Sequence, residues 1–208
     1  MEIGKVYLES SEDEEMFIGS WIQWFCSLEG NEFLVEVDED YIRDAFNLYG
    51  LRPVFPNFKQ ALQTILSDDI PEEEDFQDQK YIEFYKECSD LYGLIHARYI
   101  QSPPGLSLVK EKYLVGEYGT CPRILCERQN LLPVGTSEEL EVSRVKVFCP
   151  RCEELYFPKP KCGDIDGAYF GKSVAHLVMM NYPELNPGPS KNIYIPRIYG
   201  FKLYRSAK

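Results

Sequence analysis

Apolar positions recur at intervals of three and four residues through the first half of the chain and alternate in short runs through the second. Between residue 19 and about residue 115 the pattern is helical. In "FIGSWIQWFCSLEGNEFLVEV", Trp21, Ile22, Trp24 and Phe25 are dense enough to be core. "KQALQTIL" puts Ala61, Leu62, Ile65 and Leu66 on one helical face. "YIEFYKECSDLYGLIHARYI" holds Tyr81, Phe84, Tyr85, Cys88, Tyr92, Ile95 and Tyr99 at helical spacing. Pro103, Pro104 and Gly105 break the helical region, after which "LSLVKEKYLVGEYG" reads as one last short helix ending near Gly116 or Gly119.

The texture then changes. Residues 120–172 carry short β-rich pieces such as "RVKVF" and "ELYF" between Pro and Gly turns, which suits a compact β module. From 173 to 208 the chain reads as irregular: "AHLVMM", a Pro-rich stretch, then "NIYIPRIYGFKLYR". No internal repeat is present. The expected architecture is α+β: an acidic tail over 1–18, a mainly helical domain over 19–118, a β module over 119–172 and an extended C-terminal segment over 173–208.

Charge sharpens this picture. The formal net charge is −12, which disfavours binding to a phosphate backbone, because that mode draws its affinity from Lys and Arg. Basic partners fit better. The acids cluster in "ESSEDEE" at 9–15 and in Asp68, Asp69, Glu72, Glu73, Glu74, Asp75 and Asp78. The second cluster is interrupted by Pro71 and repels itself too strongly for a helix interior, so it reads as an exposed loop. The first residues lack a continuous apolar core, and no stretch approaches the roughly 18 apolar residues of a membrane span. A soluble, intracellular protein is expected, with no membrane partner.

In a reducing compartment, short cysteine spacings favour a metal over disulfides. Cys121 and Cys126 form a C-x4-C loop in "CPRILC", and Cys149 and Cys152 form a C-x2-C knuckle in "FCPRC". Four thiolates about 2.3 Å from one Zn²⁺ close a tetrahedron with no open position, so a zinc ribbon with one structural ion per chain is expected. Cys26 and Cys88 read as small core residues, Cys162 as an exposed loop thiol, and His96 and His176 as packing residues. No phosphate-binding loop or nucleophile–base arrangement is visible, and no catalytic residue is assigned. A zinc-ribbon nucleic-acid or transcription protein is the alternative. It would need a basic face at the ribbon, whereas Glu127, Glu138, Glu139, Glu141, Glu153 and Glu154 sit among a similar number of bases.

The run "CPRILCERQNLLPVGTSEELEVSRVKVFCPRC" resembles the signature of the casein kinase II regulatory (beta) subunits. "WFCSLEGNEFLVEVDEDYIRDAFNLYGL", "LYGLIHARYI", "DGAYFG" and "PRIYGFKLY" are similar to that family in the same order over nearly the whole chain. The resemblance implies a non-catalytic regulatory and scaffolding subunit of an acidophilic Ser/Thr kinase, in cytoplasm and nucleus. It implies a homodimer formed through the ribbon, with Pro122, Ile124, Leu155 and Tyr156 near the dimer face. Two catalytic subunits would be bound by the C-terminal segment, with Tyr199 and Phe201 entering an apolar groove and Ile198 and Leu177 in support. It also implies polyamine and basic-protein binding by the 68–78 loop. Ser10 and Ser11, with Asp13 and Glu14 three residues on, carry the acidic pattern this kinase reads. Departures from the family are Lys59 at its destruction-box arginine, the leader "MEIGKVYL", and a chain ending seven residues past Phe201, without the longer tail of many relatives.

Overall fold

The computed structural model describes residues 19–72, 74–188 and 195–203. Helices α1 (Trp21–Ser27), α2 (Glu39–Arg43), α3 (Phe58–Ile65), α4 (Gln79–Tyr99) and α5 (Pro103–Val115) precede an antiparallel sheet of β1 (Leu132–Val134), β2 (Lys146–Cys149) and β3 (Glu154–Tyr156). Helix α6 (Val174–Asn181) and a hairpin of β4 (Arg197–Ile198) and β5 (Phe201–Lys202) follow. The fold is α+β. Among the described residues, no helix is long and apolar enough to cross a membrane.

Helix α4 is the spine. Asp78 caps its N-terminus by accepting from the Lys80 N–H, and its buried stripe of Cys88, Leu91, Tyr92, Ile95, His96 and Tyr99 faces the core. Against it α1 places Trp21, whose ring stacks on Phe25 with centroids 4.8 Å apart and meets Tyr92 edge-on at 5.7 Å. Trp21, Ile22 and Phe25 are buried, whereas Trp24 is half-buried.

The chain between α1 and α2 passes through two turns, with the Asn31 N–H on the Leu28 carbonyl and the Leu34 N–H on the Asn31 carbonyl, and joins no sheet, although Phe33, Leu34, Val35 and Val37 are buried. Its backbone groups therefore need partners from elsewhere, and α4 supplies them. The Tyr92 hydroxyl accepts from the Val37 N–H at 3.2 Å and donates to the Val35 carbonyl at 3.1 Å. His96 Nε2 accepts from the Val35 N–H at 3.1 Å. With Nε2 accepting, Nδ1 carries the proton and donates it to the Tyr169 carbonyl, 2.7 Å away. One neutral imidazole thus ties the N-terminal segment, α4 and the chain beyond the sheet.

Tyr169 ends a 3-10 turn (Gly167–Tyr169) that packs on α4. A Cβ at Gly93 would lie 2.1 Å from the Tyr169 ring, so only glycine permits this approach. The hydrophobic core accordingly runs without a break from α1 through α4 and α5 to Leu132, Val145, Val147 and Phe170.

Three expectations are corrected. The Pro103–Gly105 stretch is the first turn of α5 itself, because proline lacks only an N–H that this turn leaves unpaired, and Ser102 caps it by accepting from the Gly105 N–H. Residues 174–181 are helical: "VAHLVMM" buries Val174, Ala175 and Val178 at a spacing of one, three and four, too short a run to read as periodic. Cys162 is buried, not exposed, and its thiol donates to Glu32 Oε2 at 3.3 Å. His176 is exposed beside Phe148, with ring centroids 5.4 Å apart.

Burial pushes His96 down from 6.5 to about 4, opposed by its bond to Tyr169 and aided by Lys112. The unfolded chain therefore binds the proton that the folded chain refuses. The stability contributed by neutral His96 is complete above about pH 6.5 and is lost as pH falls towards 4, on the order of 3 kcal/mol over that window. Denaturant unfolding should show about 2 kcal/mol of this loss between pH 7 and pH 5. His96→Gln should be less stable at pH 7 and show a smaller drop between the two.

Candidate metal centre

Two tight turns bring the cysteines together. After Cys121, whose N–H donates to the Gln129 carbonyl, a 3-10 turn (Ile124–Cys126) closes with the Cys126 N–H on the Arg123 carbonyl. Glu127 and Arg128 then take the left-handed backbone region, with φ of 53° and 58°, and reverse the chain. On the other side Cys149 ends β2, and the Glu153 N–H donates to its carbonyl at 2.8 Å, with Glu153 also left-handed. The register Leu132↔Phe148 and Cys149↔Glu154 places the second pair beside the first. Arg151 Nη1 donates to Glu127 Oε2 at 2.8 Å, joining the two knuckles.

All four sulfurs lie within 4.8 Å of one another, and Cys121 and Cys152 Sγ are 3.9 Å apart. A tetrahedron with bonds of about 2.3 Å has edges near 3.8 Å, so the set is compatible with one zinc ion, while a disulfide at about 2 Å is not formed. Among the described residues this is the one group of His, Cys, Asp or Glu arranged to hold a metal. Its four places are all protein sulfur, which leaves none for a reacting water.

The four thiols are not equivalent. Cys121, Cys126 and Cys149 are buried and Cys152 is half-buried. Burial pushes Cys126 up to about 11, together with hydrogen bonds from Cys152 and Cys121, and burial likewise raises Cys149. At Cys152 burial also acts upwards, but hydrogen bonds from Tyr156, Cys149 and the Glu154 N–H outweigh it and hold the thiol at about 7. The Tyr156 hydroxyl lies 3.3 Å from Cys152 Sγ. Sequence reasoning missed this role. Its only signal was a tyrosine four residues past the last cysteine, in the strand leaving the knuckle.

Around the cluster, Pro122 is exposed, Ile124 is 91% and Leu155 48% exposed, and Tyr156 is half-buried. Pro122, Leu155 and Tyr156 line a shallow depression of about 420 Å³ with Arg123 and Glu154. Leu177 is half-buried on α6. Ile198, Tyr199 and Phe201 lie on the β4–β5 hairpin and are 55%, 97% and 79% exposed. Tyr199 and Gly200, with φ of 48° and 88°, are the two central residues of a turn, so Phe201 pairs with Ile198 across the strands and Tyr199 stands at the tip. Asp68, Asp69, Glu72, Glu74, Asp75 and Asp78 are exposed, with Asp75 in a 3-10 turn (Asp75–Gln77) and Asp78 capping α4. Ser10, Ser11 and Glu73 lie outside the described residues.

The casein kinase II regulatory subunit family matches residues 20–202. The chain is 45% identical over 208 residues to a casein kinase II subunit beta of Dictyostelium discoideum, covering 97% of this chain and 76% of that protein. It is 48% identical over 201 residues to one of Schizosaccharomyces pombe, covering 95% and 84%. It is 46% identical over 187 residues to casein kinase II subunit beta-3 of Arabidopsis thaliana, covering 89% and 68%. The chain belongs to the casein kinase II regulatory subunit family. It is a regulatory protein and not an enzyme.

Titration with Co²⁺ should produce the absorption of tetrahedral thiolate coordination and saturate at about one equivalent per chain. Replacing Cys121 and Cys149 by Ser takes one sulfur from each knuckle and should abolish that spectrum.

Proposed function

We propose that this chain is the scaffold of a kinase holoenzyme: a homodimer held through zinc-stabilised ribbons that binds two acidophilic Ser/Thr kinase catalytic subunits and modulates their stability, activity and substrate choice. The observation that carries the reading is the β4–β5 hairpin. A non-glycine residue in the left-handed region costs about 1–2 kcal/mol, and Tyr199 accepts that cost while giving its ring almost wholly to solvent. Strain combined with exposure of this kind belongs to recognition surfaces. Tyr199 and Phe201 are the anchors for an apolar groove on the catalytic subunit, with Ile198 beside Phe201 and Leu177 in support.

The dimer reading draws on the outward apolar residues Pro122, Ile124, Leu155 and Tyr156 beside a ribbon sheet of three short strands. The proposed division of the chain follows: an acidic tail over 1–18, a helical domain over 19–118, a dimerising ribbon over 119–172 and a docking segment over 173–208. Cytoplasm and nucleus are the proposed compartments. The exposed carboxylates of the 68–78 loop, in a chain of net charge −12, suit polyamines and basic proteins and disfavour direct contact with nucleic acid.

Buried aromatic anchors contribute 2 kcal/mol or more each at interfaces, so Tyr199→Ala with Phe201→Ala should weaken catalytic-subunit binding by roughly a thousandfold in calorimetry. Zinc content and the sedimenting dimer should be unchanged. Normal binding by that variant would move the docking site elsewhere. Neutralising Asp68, Asp69, Glu72 and Glu74 should reduce stimulation of the holoenzyme by spermine, an effect that shrinks with added salt. In the same holoenzyme, mass spectrometry after incubation with ATP should find phosphate on Ser10 or Ser11; no phosphate there would sink that assignment.

A further inference from the structure

We propose that the cleft between α4 and the β module binds a small organic cation with an apolar body, its guanidinium or ammonium group held by Asp90 and Asp166. Neither the cysteine cluster nor the β4–β5 hairpin contributes to its lining, so the site is independent of the zinc, dimer and docking readings. The cleft measures about 860 Å³, within the roughly 300–1,000 Å³ of small-molecule pockets. Phe25, Tyr85, Val142, Ile165 and Tyr169 give it apolar and aromatic surface from both halves of the chain. Lys86 pairs with Glu141, and Lys161 with Glu29 at 3.2 Å, so two exposed ion pairs join the helical wall to the β wall.

Charge selects the occupant. The two pairs engage Lys86 and Lys161, and the remaining base of the lining, Arg144, donates to the Asp164 carbonyl. Among the described residues, no Lys, Arg or His forms an ion pair with Asp90 or Asp166. Both carboxylates converge on one 3-10 turn. Asp90 Oδ1 accepts from the Tyr169 hydroxyl at 2.8 Å, and buried Asp166 accepts from the Ala168 N–H at 2.8 Å and the Glu141 N–H at 2.5 Å. Each of these oxygens can take a second donor. Burial pushes the Asp90 carboxyl up from its ordinary value, against the Tyr169 bond and Lys86, and the charges of Asp166 and Glu141 add to the rise. A charged N–H donor placed between Asp90 and Asp166 would relieve that repulsion and form charge-assisted bonds, and aromatic walls favour a cation further. An anion would meet like charge there, and a neutral ligand would leave both carboxylates uncompensated.

The test is an NMR titration of the isotope-labelled full-length chain with phenethylguanidinium, a cation on an aromatic body. A probe of this size should saturate a single site per chain with a dissociation constant of about 1 mM. Amide shifts should gather at Ser89, Asp90, Val142, Asp166 and Tyr169. Neutral phenethylurea, of nearly the same shape, should bind about 10-fold more weakly or worse. Asp90→Asn keeps the side-chain shape and should weaken the guanidinium by a similar factor while leaving the urea unchanged. Val142→Arg alters an exposed residue, adds a guanidinium to the lining and should suppress binding as well; it serves should Asp90→Asn fold poorly. Neutralising Asp68, Asp69, Glu72 and Glu74 should leave the affinity as it is, which separates the cleft from the acidic loop and from diffuse attraction to a negative chain. Shifts spread over the acidic surface, equal affinities for guanidinium and urea, or wild-type affinity in both cleft variants would overturn the proposal.

Discussion

Tyr169 meets α4 with all of its polar groups engaged, and the second half of the chain is positioned by that contact. Its ring occupies the space that a side chain at residue 93 would fill, its carbonyl takes the His96 proton, and its hydroxyl donates to Asp90 Oδ1 at 2.8 Å. Each bond would be unremarkable alone. Together they fix translation, rotation and distance between a helix and a small sheet that has too few strands to form an independent core. Because His96 also holds Val35, the N-terminal segment is referred to the same point.

From that junction the sheet inherits its placement, and the cysteine cluster inherits it from the sheet. Asp166, just before the 3-10 turn, accepts from the Ala168 and Glu141 N–H groups, and Gly135 and Gly171 are bonded through their backbones. Asn130 Nδ2 donates to the Tyr113 carbonyl near the end of α5, and Gln129 Nε2 donates to the Tyr113 hydroxyl, both at 2.8 Å. The knuckles are therefore tethered from behind, and the cysteine cluster lies between this fixed rear and an open front of Pro122, Ile124 and Leu155. Four protein sulfurs filling one tetrahedron would leave no open place for a reacting water.

Much of this could be read from the chain. Helices α3 and α4 announced themselves because their apolar positions recur over enough turns to be unambiguous, and the two cysteine pairs did so because metal geometry tolerates few spacings. What escaped has common physical causes. Eight residues of α6 are too few to display a period. The prolines of α5 break a helix or begin one depending on a cap that only the fold reveals, here Ser102. Buried Cys162 finds its partner in Glu32, distant in sequence, and the bond from Tyr156 to Cys152 depends on a side-chain direction that no spacing encodes. Local pattern reports local structure, and polar partners drawn from remote segments lie beyond it.

In the docking role proposed above, the β4–β5 turn would bear on the speed of recognition. Tyr199 and Gly200 already hold their left-handed conformations, and Arg197 and Lys202 already face one another across the strands, before anything is bound. A partner that takes up the tip meets a shape and need not wait for a coil to fold. The encounter is then limited by diffusion and orientation, and lifetime is governed by how deeply the aromatic rings are enclosed. Substitutions in the groove that receives them would be felt mainly in how long the complex lasts, and hardly in how often it forms.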